Sequence, residues 1–300
     1  MKRVFKSGYI GIVGRPNVGK STLLNLLVGQ KIAAVTEKPQ TTRHRILGIR
    51  TLPEGQLLFI DTPGIHRPHK NLNEYMMQVT RAVLEDVDLF LFLVEPTPRT
   101  LGEDRRIYEM LSDKRKPVLL IINKVDTVSK DSLLPLISRY HEDWKPVAVV
   151  PFCALEENGL ENLQQEILRY LPEGPPYYPE DQVSDLSERF IASEVIREKV
   201  TLLTREEVPY SVAVEIESYE EPKEADVKKV VRIRASIVVE KDSQKGILVG
   251  KGGSMIKKIG QEARLEMEKR LGTKVFLELF VRVEEGWTKD PRKLKELGYF

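Results

Sequence analysis

The 300-residue chain is 41% hydrophobic and 31% charged, enough for two ordinary globular domains, and too apolar for disorder over most of its length. Its net charge of +2 does not by itself indicate nucleic acid, and a single cysteine excludes an intrachain disulfide and fits a reducing cytosol. The longest apolar runs, Leu89–Val94 and Val118–Ile122, fall far short of the roughly 20 residues a membrane span needs.

From Tyr9 to about Tyr170, short apolar runs alternate with helical patterns, which predicts a mostly parallel sheet covered by helices. The first run, Tyr9–Val13, leads into Gly14-Arg15-Pro16-Asn17-Val18-Gly19-Lys20-Ser21, followed by Thr22 and a helix carrying Leu23, Leu24, Leu26 and Leu27. Strand, glycine-rich loop and helix in that order define a phosphate-binding loop. Its glycines let backbone N–H groups turn inward, and the helix end adds positive potential where phosphates sit. Lys20 is expected to neutralise the β and γ phosphates and the Ser21 hydroxyl to ligate magnesium. In the loop after this helix, one threonine of Thr41-Thr42-Arg43 can close on magnesium only when a γ phosphate is present.

Next, Leu57–Ile60 ends in Asp61-Thr62-Pro63-Gly64. Asp61 is expected to hold magnesium through water, and the Gly64 N–H to bond the γ phosphate. Lys20, Gly64 and one of these threonines, Thr42 by the resemblance given below, are the candidate catalytic groups. The strand Leu89–Val94 is continuously apolar, as burial on both faces requires. After Val118–Ile122 comes Asn123-Lys124-Val125-Asp126. The Asp126 carboxylate can accept from guanine N1–H and the 2-amino group, neither of which adenine offers, so GTP and GDP are the expected nucleotides. Lys124 would lay its stem along the base, and Asn123 would tie this loop to the phosphate loop. A fifth strand is expected at Val147–Phe152.

Composition then changes. The proline-rich stretch from Pro172 to Asp181 cannot be helical and reads as a stiff, extended connector. The expected division is a phosphate-loop GTPase domain at 1–171, a linker at 172–184 and a smaller α+β domain at 185–300. In the last, a helix at about Leu186–Leu203 is followed by two alternating strands, two helices and a final alternating strand. Gly250-Lys251-Gly252-Gly253 sits between helices Gln244–Val249 and Ser254–Leu271, and a G-x-x-G loop there is the clamp of an RNA-binding KH domain. Ile256, Ile259, Ala263 and Met267 would pack the second helix on the sheet. From Lys241 to Phe300 there are 14 Lys and Arg against 9 Asp and Glu. Lys245, Lys251, Lys257 and Lys258 lie in a stretch without acids, a one-signed rim for phosphates.

Gly14 to Ser21, Thr42, Asp61 to Gly64 and Asn123 to Asp126 together resemble the motif set of the translation-factor class of GTPases. That resemblance places a last base-contacting loop at Cys153-Ala154-Leu155, where the class has Ser-Ala-Leu or Ser-Ala-Lys, so Cys153 is a departure. Ile65 stands where Ras-like proteins have a water-orienting glutamine. The resembled subfamily often uses a monovalent cation held partly by the asparagine at the place of Asn17, which implies slow, potassium-stimulated turnover.

The strand and helix order beyond the connector resembles a type II KH domain. With Ile196-Arg197-Glu198-Lys199, Pro209-Tyr210-Ser211-Val212, Leu277-Glu278-Leu279, Gly286-Trp287 and Leu297-Gly298-Tyr299, nearly the whole chain resembles the Era family of bacterial GTPases. The resemblance implies binding of the 3′ end of 16S ribosomal RNA, gated by the GTP state, in 30S subunit assembly. It also implies a cytoplasmic monomer that makes peripheral membrane contact and has no DNA partner. The competing reading is a membrane-associated signalling GTPase whose second domain docks proteins. Trp287 and Tyr299 are expected to anchor the chain end, and the loop histidines His66 and His69 carry no metal-site pattern.

Overall fold

The computed structural model describes residues 4–64, 71–97, 101–154, 159–223 and 229–299. Two compact units are present, the first ending at Asp185 and the second running from Leu186 and also taking in Ala34–Thr41. Ile65, His66, His69 and Leu155 lie outside the described residues.

The elements of the first unit are β1 (Lys6–Gly14), α1 (Lys20–Val28), β2 (Ile46–Leu52), β3 (Gly55–Asp61), α2 (Asn71–Asp86), β4 (Leu89–Val94), α3 (Leu101–Ser112), β5 (Val118–Ile122), α4 (Lys130–Trp144), β6 (Ala148–Pro151) and α5 (Leu160–Tyr170). The sheet order is β2-β3-β1-β4-β5-β6, with every pair parallel except β2 with β3. All residues of β3, β4 and β5 are buried, which explains the unbroken apolar runs Leu57–Ile60, Leu89–Val94 and Val118–Ile122. The sequence reading omits β2 because Gly48 and Arg50-Thr51 interrupt its apolar run. Packing explains that glycine: a Cβ at Gly48 would lie 2.5 Å from Val28 and 2.7 Å from Leu24, so α1 could not approach the sheet.

Chain order places β1 between β3 and β4, and the direction of winding reverses beside it. In open α/β sheets such a reversal opens a crevice at the strands' carboxyl ends, where ligands bind. Residues 172–184 run along this unit without forming a helix, bending at Tyr177–Tyr178 and turning where the Gln182 N–H donates to the Pro179 carbonyl at 3.2 Å. Gln56, fully buried, accepts from the N–H groups of Tyr177 (2.8 Å) and Tyr178 (3.0 Å) and donates to the Tyr178 carbonyl (2.8 Å). Farther on, the Ile49 N–H donates to the Val183 carbonyl at 2.9 Å, and the Ser184 hydroxyl donates to the Leu47 carbonyl at 2.6 Å.

The second unit comprises α6 (Glu188–Leu203), β7 (Ala213–Glu220), β8 (Val230–Val239), α7 (Asp242–Val249), α8 (Ser254–Leu271), β9 (Lys274–Val283) and α9 (Pro291–Glu296). Its sheet order is β7-β8-β9, antiparallel then parallel. Alternation in β8 puts Val231, Ile233, Ala235 and Ile237 into a core shared with Ile196 and Val200 of α6 and Ile259, Ala263 and Met267 of α8. Within this unit the buried Arg197, paired with Glu194, also donates to the Thr41 carbonyl, and Lys38 donates to the carbonyls of Thr201 and Thr204 at the end of α6. Trp287 is fully buried; its indole N–H donates to the Ser211 carbonyl at 3.2 Å and its ring stacks on Tyr299 at 5.7 Å, so both aromatics anchor the chain end. Among the described residues, no helix is long and apolar enough to cross a membrane.

Candidate functional site

The loop from Gly14 to Ser21 leaves β1 at the crevice. Gly19 has φ +100°, and a Cβ there would lie 2.2 Å from the Asn123 carboxamide nitrogen, so only glycine lets the loop and the base-side segment close together. The Asn123 carboxamide joins the two, donating to the Val18 carbonyl at 2.8 Å and accepting from the Ala154 N–H at 3.3 Å. Asn17 and Lys124 both adopt left-handed backbone, uncommon for side chains of their size and concentrated at functional turns.

Lys20 begins α1 and is buried, its ammonium donating to the carbonyls of Gly14 (3.2 Å) and Arg15 (2.9 Å). Burial pushes its pKa down from 10.5 to about 8, against the opposing pull of Asp61. Asp61, at the end of β3, is also fully buried, and burial raises its pKa against the counteracting Lys20 charge and the Ser21 and Thr42 hydroxyls. Ser21 Oγ donates to Asp61 Oδ2 at 2.7 Å, Thr42 Oγ1 donates to the same oxygen at 3.0 Å, and the two hydroxyls lie 2.8 Å apart. The other carboxylate oxygen, Asp61 Oδ1, is buried without a hydrogen-bond partner. Three hard oxygen donors converging beside an unpaired buried carboxylate oxygen fit the donor set of magnesium. Thr62 Oγ1 donates to the Ile12 carbonyl at 3.0 Å, and the Pro63 carbonyl accepts from Thr80 at 3.3 Å. These bonds hold Gly64 against Pro16, where a Cβ would lie 3.0 Å from the proline ring. Thr22 continues the first turn of α1 and is half-buried.

On the base side, Asp126 is exposed and accepts from the Cys153 thiol at 3.1 Å. A base seated here would cover the Asp126 carboxylate and take it out of water. Lys124 donates to the Asn17 carbonyl at 2.8 Å and pairs with Glu95. The Arg15 side chain turns toward α3, where its Nε donates to Asp104 at 2.7 Å, leaving its backbone for the phosphate loop. Sequence reasoning missed Glu95 and Asp104. Glu95 directly follows β4, at the ligand-binding ends of the strands, and Asp104 lies one helical turn before the buried pair Ile107 and Tyr108, so position and periodicity could have marked both.

In the second unit Gly250 closes α7, and Gly252 and Gly253 take positive φ of 60° and 78° with nothing within 4 Å of an added Cβ. Lys245, Lys251, Lys257 and Lys258 are all exposed, and a groove of about 390 Å³ is lined by Ile256, Lys257, Gly260, Gln261 and Arg264 of α8 and by Leu277 and Leu279 of β9. Ile259, Ala263 and Met267 pack in the core, whereas Ile256 is only half-buried and faces the groove. The groove has an aliphatic floor and a cationic rim, a composition suited to unstacked bases on a charged backbone.

A phosphate-loop domain of the GTPase type, joined to a KH unit, is therefore the class that the fold and the two sites define. The family described as 50S ribosome-binding GTPase matches residues 9–124, and the KH domain family matches residues 207–288. The GTPase Era of Geobacter metallireducens is 50% identical over 98% of both chains, and that of Geotalea uraniireducens is 50% identical over 99% of both. Two solved structures align with a TM-score of 0.93 over 98% of this chain and 99% of theirs. They are an Aquifex aeolicus Era variant bound to GDP and aluminium fluoride, 41% identical, and Era in complex with MgGDPNP and nucleotides 1506–1542 of 16S ribosomal RNA, 42% identical. The chain belongs to the Era family of GTPases.

The shifted Lys20 gives a pH signature. Below about pH 8 both folded and unfolded chains carry its proton, and between 8 and 10.5 only the unfolded chain does. The unfolded state then binds more protons, so stability rises with pH across that window. In urea unfolding without nucleotide, the wild-type protein is expected to gain stability relative to Lys20→Met from pH 8 to 10.5. Parallel pH profiles of the two proteins would show that Lys20 is not desolvated.

Proposed function

We propose that the chain hydrolyses GTP slowly at the crevice of the first unit, and uses that cycle to control binding of the 3′ end of 16S ribosomal RNA by the second unit during 30S assembly. The observation that carries this reading is the likeness, over the whole chain, to an Era structure solved with MgGDPNP and 16S nucleotides 1506–1542. The domain-family description names the 50S subunit, but the RNA in that full-length relative favours the small subunit.

In the proposed mechanism, Asp126 accepts from guanine N1–H and the 2-amino group, and the Lys124 stem covers the base. The phosphate-loop N–H groups surround the phosphates, and Lys20 regains its full charge beside them. Ser21, Thr42 and Asp61 would hold magnesium, which when bound neutralises charge across the phosphate oxygens. The exposed carboxamide of Asn17 is an oxygen donor suited to potassium at the rim of the loop. The groove beside Gly250–Gly253 takes unstacked bases, and its lysines take the backbone.

Three measurements test the parts separately. Asp126→Asn is expected to weaken GTP binding by about 100-fold or more and to improve xanthosine triphosphate binding; loss of both together would deny Asp126 its base-reading role. Turnover is expected to be faster in potassium than in sodium chloride, and equal rates would remove the cation. For the RNA, Lys251→Glu with Gly252→Asp is expected to weaken binding of a 16S 3′-end oligonucleotide by at least about tenfold and to flatten its salt dependence. Nothing lies within 4 Å of a Cβ at Gly252, and its φ of 60° is a left-handed conformation that aspartate adopts more readily than most side chains. Unchanged RNA affinity would point instead to a second unit that docks proteins.

A further inference from the structure

Two cations of the nucleotide site are held by carboxylates that neither phosphate binding nor base reading requires. Arg15 Nε donates to Asp104 Oδ1 at 2.7 Å, and Arg15 Nη2 stands 3.6 Å from Glu95 Oε2. The other Glu95 oxygen pairs with the Lys124 ammonium, which also donates to the Asn17 carbonyl at 2.8 Å. Asp104 is fully buried on α3, and the Arg15 side chain is only 11% exposed. The chain of contacts therefore starts in the core, passes through the phosphate loop at residue 15, crosses to the base-side lysine and returns to the phosphate loop at residue 17.

Residue 15 does double duty. Its side chain is fixed by Asp104 while its carbonyl accepts from Lys20 at 2.9 Å, so the anchor on α3 also sets the acceptor that aims the phosphate lysine. Lys124 is 41% exposed and, with Arg15 nearby, would turn into solvent without an anion between the two cations. Glu95 is that anion.

We infer that Glu95 is a positioning residue for guanine nucleotide binding: it holds Lys124 over the base and joins it to Arg15, so base recognition and phosphate-loop geometry form one unit. The inference rests on the nucleotide site proposed above. Lys124 meets the face of the base, whereas Asp126 meets its edge. Loss of Glu95 therefore penalises guanine and hypoxanthine nucleotides equally.

The test is a double-mutant cycle read by GDP and IDP affinity. Glu95→Gln keeps the side chain's size and removes its charge. It is expected to weaken GDP and IDP by the same factor, about tenfold, the weight of a charge-assisted hydrogen bond, with their ratio unchanged. In a Lys124→Met background the same change is expected to cost clearly less, since only the Arg15 contact is left to lose, and the unfolding midpoint of the nucleotide-free protein is expected to stay in place. Equal losses in both backgrounds, or no loss with Lys124 present, would overturn the positioning role. A wild-type protein that binds no guanine nucleotide would overturn both this inference and the reading of the site itself.

Discussion

A buried ammonium and a buried carboxylate, Lys20 and Asp61, set the terms for the first unit. Parallel pairing brings them together: Ile12 of β1 lies opposite Asp61 of β3, so the phosphate loop and the Asp-Thr-Pro-Gly turn leave the sheet side by side. Each group is pushed by burial toward its neutral form, and each is only partly compensated by the other. An anion beside Lys20 and a cation beside Asp61 restore both charges at once. Nucleotide phosphates with magnesium are that pair, so their binding offsets a desolvation cost already present in the fold.

The second unit solves a phosphate problem with the same local device and the opposite surroundings. Helices α1 and α8 both follow a glycine with positive φ, Gly19 and Gly253, and neither has an acidic residue in its first turn. Both therefore present N–H groups and positive potential to an anion. Around α1 the lysine is buried and the carboxamide of Asn123 seals the turn, which suits one small ligand held in fixed geometry. Around α8 the four lysines are exposed and nothing crowds Gly252 or Gly253, which suits a polymer whose attraction is strong but screened by salt.

Much of this was legible in the sequence because the chemistry is local along the chain. The phosphate loop, the Asp61 turn and the Asn123 segment each follow a buried strand, and continuous apolarity marked those strands. Helix α8 coincides with the Ser254–Leu271 segment read from periodicity, since both ends carry glycines. The illegible parts are pairings across long stretches of chain. Strand β2 is disguised by the glycine that α1 needs, and Asp104 reads as an ordinary charge until Arg15, 89 residues earlier, meets it. Leu277 and Leu279 of β9 pack against the core, yet they stay partly exposed because β9 is an edge strand and the same side chains line the groove. Periodicity gives the face of an element but not what covers it.

Cys153 shows why one departure from a motif leaves the site intact. Its thiol donates to Asp126 at 3.1 Å, in the position where the resembled class carries a serine, and a thiol is the weaker donor. The orientation of Asp126 does not depend on that bond alone. It sits in the short turn Val125–Thr127, where the Thr127 N–H and hydroxyl both bond the Lys124 carbonyl, at 3.1 and 2.7 Å. Asn123 fastens the start of that turn to Val18 and accepts from the Ala154 N–H, so the backbone that carries Asp126 is held independently of the thiol. A side chain that bonds one carboxylate oxygen above a held backbone can change from hydroxyl to thiol; Asn123, which carries the connection between the two segments, has no such freedom.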